Sequence, residues 1–157
     1  MAHATGQSPE QILASLGIEL PALAAPAANY VPSVRTGSLL FVSGQVSIGS
    51  AGKFVGKVGR DVTLEQAQQA ARVCAINILA NLKASLGSLD RVARIVKLVG
   101  FVNAVPEFVD PHKVVNGCSD LLTEVLGDKG KHARSAVGVA TLPLNAAVEA
   151  EAIVEIA

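Results

Sequence analysis

The chain lacks several features on which whole classes of protein depend. It has no tryptophan, one tyrosine and only 3% aromatic residues, and its 13 basic and 13 acidic side chains leave a net charge of zero. Non-specific nucleic-acid binding needs a positive field, which a neutral chain does not supply. Few aromatic rings are available for base stacking in a single-strand site. We therefore expect no nucleic acid among its partners.

Long apolar runs are also missing. No run reaches the ~18 residues that a membrane span requires. The first residues lack the basic start and apolar run of a signal peptide. Cys74 and Cys118 are too few for a disulfide framework, so we expect reduced, buried packing residues on helices. These features predict a cytoplasmic protein with no membrane partner.

What is present indicates one folded domain over residues 1–157. Half of the residues are apolar and 17% are charged, which excludes intrinsic disorder. Ser8 and Pro9 are typical of a helix start, with Gln11 placed to complete a capping box and Gly17 to end the helix. A proline-rich stretch over 20–33 then predicts an ordered surface arm. Residues 1–25 are thus an N-terminal helix and arm extension.

The rest of the chain alternates strands and helices. Thr63 and Gln66 form a capping box before an apolar stripe that runs to about Leu86. A second helix is predicted from about Pro111 to Gly127. Residues 44–59 are predicted to form a loop or a loose hairpin, and the predicted strands cover 39–43, 91–103, 134–140 and 148–156. This order predicts an α+β fold, a mixed sheet with two main helices on one face.

The last strand carries carboxylates on one face of an otherwise apolar pattern. A solvated face is the simplest interpretation of Glu151 and Glu155. Glu149 differs, because it follows the turn after the strand that begins with Arg134. If those two strands form a hairpin, Arg134 and Glu149 flank neighbouring ends of the ladder. Arg134 is then either a structural ion-pair partner or an anion clamp, and spacing favours neither.

Motifs for other chemistry are not found in the sequence. No two of the three histidines have helical metal-ligand spacing, and neither cysteine has a nearby partner. The glycine-rich stretch contains neither a dinucleotide-binding nor a phosphate-loop pattern, and the Ser43 segment is not a nucleophile elbow. We expect no metal and no cofactor.

A set of short segments does form a recognisable pattern over about residues 26–157. Its specific part is A-R-S followed by an apolar strand, then L-P and V-E-x-E-A-I, and F-V-S-G-Q-V adds weaker support. This pattern resembles the Rid family, the YjgF-type reactive intermediate deaminases that are also called the L-PSP endoribonuclease family. The form G-x-H-A-R-S-A-V-G, with the N-terminal helix and the enlarged loop over 47–62, is similar to a longer branch of it.

The resemblance implies a chorismate-mutase-like fold that assembles as a homotrimer. Three sheets would close a central barrel, with clefts between subunits. Active members hydrolyse 2-enamino and 2-imino acids to 2-oxo acids and ammonia in those clefts, without a cofactor. The expected partners are therefore one small 2-imino, 2-enamino or 2-oxo acid and two further copies of the chain.

The resemblance also implies roles for individual residues. Arg134 matches the arginine that clamps the substrate carboxylate, Glu149 the glutamate that places water, and Tyr30 a cleft tyrosine. The residues implied to bind substrate are Ser43, Gly44, Asn116 and Ala136. At Ala136 the family often has cysteine, so this chain departs from the pattern and its pocket changes shape.

Two other functions stay open. The same clefts could hold small carboxylates such as 2-oxo acids without catalysis, and both Ala136 and the enlarged loop leave room for that. A ribonuclease is implied by the older family label, but the neutral charge and scarce aromatic residues argue against it.

Overall fold

The computed structural model describes residues 6–23 and 29–157. Helix α1 spans Pro9–Ser15, and the Ser8 hydroxyl accepts a hydrogen bond from the Gln11 amide, which confirms the predicted capping box. Residues 24–28 of the predicted arm lie outside the described residues. The arm also ends earlier than predicted, because Ser33–Thr36 forms strand β1.

The two long helices begin and end where the capping signals indicate. Helix α2 covers Leu64–Leu86 between the Thr63 capping box and Gly87. Helix α3 covers Pro111–Leu126. A methyl group added at Gly117 would come within 2.0 Å of the Gln68 carbonyl oxygen, so the backbones of α2 and α3 touch there. This close approach fixes the spacing between α2 and α3.

Five strands form one mixed sheet in the order β1-β2-β7-β5-β6. Strand β5 lies between β7, which is antiparallel to it, and β6, which is parallel to it. A separate two-stranded hairpin in the glycine-rich stretch confirms the loose hairpin predicted there. The strands are β2 Leu39–Val46, β3 Ile48–Gly49, β4 Gly52–Lys53, β5 Val92–Asn103, β6 Ala133–Val139 and β7 Val148–Ile156.

The hairpin expected between the strands of Arg134 and Glu149 is wrong. Strand β6 reaches the sheet through helix α3 as a parallel β-α-β crossover from β5, so it takes the outer edge beside β5. Strand β7 then pairs between β2 and β5. The apolar alternation of β7 explains that position, because its buried face fits the centre of the sheet.

The sheet has one covered face and one open face. Residues 148, 150, 152, 154 and 156 of β7 are buried on the helix side, and Glu149, Glu151 and Glu155 lie on the other side, as the alternation predicts. The open face also exposes large apolar side chains, among them Val34, Phe41 and Val137.

Cys74 and Cys118 are free and buried on α2 and α3, as predicted. Within the described ranges, no helix is long and apolar enough to cross a membrane.

Candidate functional site

Arg134 is held on the helix side of the sheet by neutral acceptors. Its Nη1 donates to Asn116 Oδ1 at 2.9 Å and to Ser119 Oγ at 3.1 Å, and its Nη2 donates to the His112 carbonyl oxygen at 3.2 Å. All three partners belong to α3, which lies over β6. No carboxylate among residues 6–23 and 29–157 forms a salt bridge with Arg134. The structural ion pair considered for Arg134 is therefore not found among the described residues.

The bonding pattern leaves one edge of the guanidinium open. Arginine has five N–H donors, and three of them are used by α3. One donor on Nε and one on Nη2 have no acceptor in the part of the chain that the structure describes. These two nitrogens form the side-on fork that matches both oxygens of a carboxylate. The arrangement can bind one carboxylate through both of its oxygens.

Ser119 extends this network to a second side chain that the sequence did not single out. Its hydroxyl lies 2.9 Å from His132 Nε2, and His132 Nδ1 lies 2.6 Å from the Gly130 carbonyl oxygen. Burial and the positive charge of Arg134 lower the pKa of His132. Both residues carried signals that could have found them. Ser119 follows Asn116 by three positions on one helix face, and His132 precedes Arg134 by two positions, just before β6 begins.

Ala136 lies on the same face of β6 as Arg134 and packs against the core. With Asn116 and Arg134 it forms the group that we call the arginine half-site. The Ala136 side chain is a single methyl group on the outer strand of the sheet.

Glu149 lies on the open face of β7, the central strand of the sheet. A methyl group added at Gly44 would come within 2.0 Å of Glu149 Oε1, so the carboxylate rests directly over the Gly44 backbone. Burial, and to a lesser extent the negative charge of Glu151, raise the pKa of Glu149. A carboxylate with a raised pKa is suited to accept a proton near neutral pH.

Ser43 lies on β2, the strand that pairs with the Glu149 strand β7. Tyr30 lies in the segment just before β1. The Ser43 hydroxyl donates to the Val31 carbonyl oxygen at 2.7 Å, which ties the segment after Tyr30 to β2. Tyr30 is 57% exposed. The register of β2 against β7 shifts between Val42 and Gln45, so Ser43 and Gly44 form an irregular stretch of the strand. We call Tyr30, Ser43, Gly44 and Glu149 the glutamate half-site.

The two half-sites do not meet within one chain. Leu98 of β5 pairs with Arg134 on one side and Ala152 on the other, whereas Phe101 pairs with Glu149. Arg134 and Glu149 are therefore two strands and three residues apart, roughly 14 Å between backbones from standard strand spacings. Their side chains also point to opposite faces, since Arg134 bonds to α3 and Glu149 faces away from the helices. A site that uses both must combine two chains.

The open face contains a depression of about 370 Å³ beside the glutamate half-site. Phe41, Ser43 and Ile153 line it together with Lys97 and Glu151. Arg134 does not take part in it. No group of three or more histidine, cysteine or acidic side chains in the described ranges is placed to hold a metal ion.

Known proteins are similar to this chain in sequence and in fold. A family described as "YjgF/chorismate mutase-like, putative endoribonuclease" matches residues 10–155. Protein TCP17 of Trypanosoma cruzi is 50% identical over 146 residues, which cover 92% of this chain and 91% of TCP17.

Two crystal structures have the same fold. Atu1372 of Agrobacterium tumefaciens, described as of unknown function, is 53% identical over 95% of this chain and 92% of its own, with a TM-score of 0.89. A "putative endoribonuclease" of Shewanella oneidensis is 33% identical over 96% of this chain and 100% of its own, with a TM-score of 0.91. Both the predicted α+β fold and the predicted family are confirmed, and the chain belongs to the YjgF/chorismate mutase-like family.

Proposed function

We propose that the protein hydrolyses reactive 2-imino acids, and the 2-enamino acids that tautomerise to them, to 2-oxo acids and ammonia. The unused donor pair on Arg134 is the observation that carries the proposal. A guanidinium that three neutral acceptors hold in place, with two adjacent donors free, is suited to grip the carboxylate of a small acid. We expect the small side chain of Ala136 to leave space for the rest of the molecule.

The reaction would occur between subunits of a homotrimer. The Arg134 and Glu149 side chains lie on opposite faces of the sheet, so only a neighbouring chain can bring a glutamate half-site to an arginine half-site. The exposed apolar side chains of the open face support assembly, since Val34, Phe41 and Val137 are each at least 42% exposed. A chain with zero net charge also has little repulsion to oppose it.

The chemistry needs a carboxylate clamp, a placed water and a proton acceptor. Glu149 takes a proton from water while the water oxygen bonds to the carbon of the protonated imine, which gives a neutral carbinolamine. Glu149 then passes that proton to the carbinolamine nitrogen. The carbon–nitrogen bond breaks, ammonia leaves, the hydroxyl proton passes to solvent, and the other product is the 2-oxo acid. The imine carbon is already electrophilic, so orientation and one base suffice.

A fold neighbour supports small-molecule binding by this architecture. Escherichia coli TdcF was crystallised with bound serine, and it has the same fold at 24% identity and a TM-score of 0.57. Serine is a small carboxylate of the size that Arg134 could hold. For the present chain we propose a 2-imino acid in the corresponding role, in the cytoplasm, where the free thiols of Cys74 and Cys118 stay reduced.

A coupled assay tests the proposal. A threonine dehydratase releases an enamine that hydrolyses slowly to 2-oxobutanoate, and we expect the protein to accelerate appearance of the oxo acid without changing threonine consumption. If 2-oxobutanoate binds the protein but its rate of appearance does not change, the chain is a carboxylate-binding protein instead. No binding and no acceleration would exclude both functions.

RNA cleavage belongs in the same set of measurements, because a relative is described as a "putative endoribonuclease". We expect no specific cleavage by this neutral chain. Cleavage that persists unchanged in Arg134→Ala would indicate a contaminating nuclease, whereas cleavage lost with that change would favour RNA as a substrate of the same cleft.

Gly44 provides a test of the Glu149 position that leaves the charges intact. In Gly44→Ala the added methyl displaces the end of a flexible glutamate side chain, so the fold is retained. We expect kcat to fall about tenfold or more, because misplacing a catalytic group by ~1 Å costs up to about 100-fold. Gly138→Ala is the matched control, since a methyl there meets nothing within 4 Å. Equal activity of both variants would show that Glu149 does not act from this position.

The pH dependence of kcat/KM should report Glu149. The base must be ionised to accept a proton, so activity falls as the pH drops through its pKa. Burial and Glu151 raise that pKa, and the acid limb should lie above the usual range of a glutamate. Glu151→Gln removes one cause and should move the limb to lower pH.

The matched control for that measurement is Glu155→Gln on the same strand face. Glu155 pairs with Arg94 at 3.6 Å and is not among the causes that raise the pKa of Glu149. If Glu151→Gln and Glu155→Gln move the acid limb equally, or if neither moves it, the result contradicts this role of Glu149.

A further inference from the structure

We infer that Ser119 and His132 are positioning residues that set the orientation of the Arg134 guanidinium, and with it the fork offered to the substrate carboxylate. The inference rests on the proposed function, because it assigns a purpose to the residues behind the clamp. Arg134 bonds to Ser119 and Ser119 bonds to His132, so the three side chains form one hydrogen-bond series. Neither Ser119 nor His132 is expected to touch the substrate.

The series runs in one direction. The 2.6 Å contact between His132 Nδ1 and the Gly130 carbonyl requires a proton on Nδ1, because a carbonyl oxygen can only accept. In the neutral ring Nε2 is then an acceptor, and the Ser119 hydroxyl donates to it at 2.9 Å. The Ser119 oxygen thereby turns its lone pairs to Arg134 Nη1, which donates to it at 3.1 Å.

Burial favours the neutral ring on which this direction depends. His132 is partly buried, and both that burial and the charge of Arg134 lower its pKa. Its imidazole is thus an acceptor at neutral pH. Each bond in the series fixes the donor or acceptor role of the next group, which a serine alone would not do, because its hydroxyl rotates freely.

The series matters because Nη1 has two hydrogens. Asn116 Oδ1 takes one of them at 2.9 Å, and Ser119 takes the other. With both occupied, only the Nε and Nη2 edge can receive a carboxylate. Without Ser119, Nη1 keeps only the bond to Asn116, and the guanidinium is less firmly held in the orientation that offers this edge. Substrate binding must then fix that orientation, so binding weakens while the bound complex reacts as before.

Enzyme kinetics of point variants test the inference. Ser119→Ala should raise KM about tenfold with kcat within about twofold, a pattern that indicates lost binding and not lost chemistry. Alanine is a better helix former than serine, so the change should not unfold α3. Ser119→Thr keeps the hydroxyl and should restore most of the affinity. Ser85→Ala is the control, a serine of α2 whose hydroxyl shares one hydrogen bond with Ser33, away from Arg134.

A double-variant comparison tests whether the two residues act in series. His132→Phe keeps a ring and removes both nitrogens, and it should raise KM about threefold. Combined with Ser119→Ala it should add nothing, because Ser119→Ala already breaks the series. Independent, multiplicative effects on KM would overturn the inference, as would a Ser119→Ala variant that behaves like Ser85→Ala.

The outcome separates this inference from the proposed function. Equilibrium binding of 2-oxobutanoate should be lost in Arg134→Ala and weakened in Ser119→Ala. Loss only in Arg134→Ala would overturn the positioning role and leave the clamp intact, whereas binding that survives in Arg134→Ala would overturn the proposed function itself.

A spectroscopic measurement on the unmodified protein does not depend on any variant folding. Nitrogen-15 shifts of His132 should show protonated Nδ1 and unprotonated Nε2 at neutral pH. The opposite tautomer would reverse the direction of the series and overturn the inference.

Discussion

Replacing Arg134 with alanine is expected to lower kcat/KM for 2-imino acids by about 1000-fold. The change removes two charge-assisted hydrogen bonds to the substrate carboxylate, each worth about 2 kcal/mol. The coupled dehydratase assay measures the loss, and size-exclusion chromatography with circular dichroism shows whether the assembly and fold persist. Both should persist, because Arg134 is partly exposed on the outer strand of the sheet and the apolar core is unchanged.

Two variants separate geometry from charge. Arg134→Lys keeps the positive charge but loses the planar fork, so we expect it to recover only about tenfold of the loss. Arg94→Ala on β5 removes an exposed arginine that pairs with Glu155 and should be near wild type. Undiminished activity in Arg134→Ala, or a wild-type protein that elutes as a monomer, would reject the assignment of Arg134 as the clamp of an intersubunit site.

Glu149→Gln is expected to lower kcat by about 100- to 10,000-fold, the usual contribution of a positioned base. KM should change little, because Arg134 still holds the carboxylate. Glutamine keeps the size of the side chain over Gly44, so the loss is one of proton transfer and not of packing. Glu155→Gln again serves as control. A kcat within about threefold of wild type would leave Glu149 without the role of base.

Mixing the two inactive variants gives a sharper result. Arg134 and Glu149 lie on opposite faces of the sheet, so each site takes one residue from each of two chains. Subunits exchanged between Arg134→Ala and Glu149→Gln at equal amounts should regain about a quarter of wild-type activity, since random assembly leaves that share of sites with both native residues. A mixture as inactive as its components would mean that both residues serve one chain.

Local signals in the sequence predicted most elements of the fold. Thr63 with Gln66, and Gly87 after the apolar stripe, set both ends of α2, because capping depends on neighbouring residues. Strict alternation likewise predicted β7. Strand β1 was missed because Ser33–Thr36 directly follows Pro32 and has no apolar alternation of its own. It is stabilised by pairing with β2, which local sequence does not encode.

Strand order and the site depend on distant contacts, and there prediction was less complete. A short connection between β6 and β7 suggested a hairpin, but β5 pairs with both strands. The resemblance indicated Arg134 and Asn116, and the structure joins them at 2.9 Å. Ser119 and His132 were missed because their link to Arg134 exists only once α3 lies across β6.

The placement of β5 between Arg134 and Glu149 has a consequence for activity in solution. A dissociated subunit retains every side chain of the proposed machinery and yet has no complete cleft. Specific activity should therefore fall steeply on dilution, with the third-order sensitivity of three chains that must associate. Substitutions on the open face, such as Phe41→Asp, should abolish activity without altering any side chain that contacts the imine.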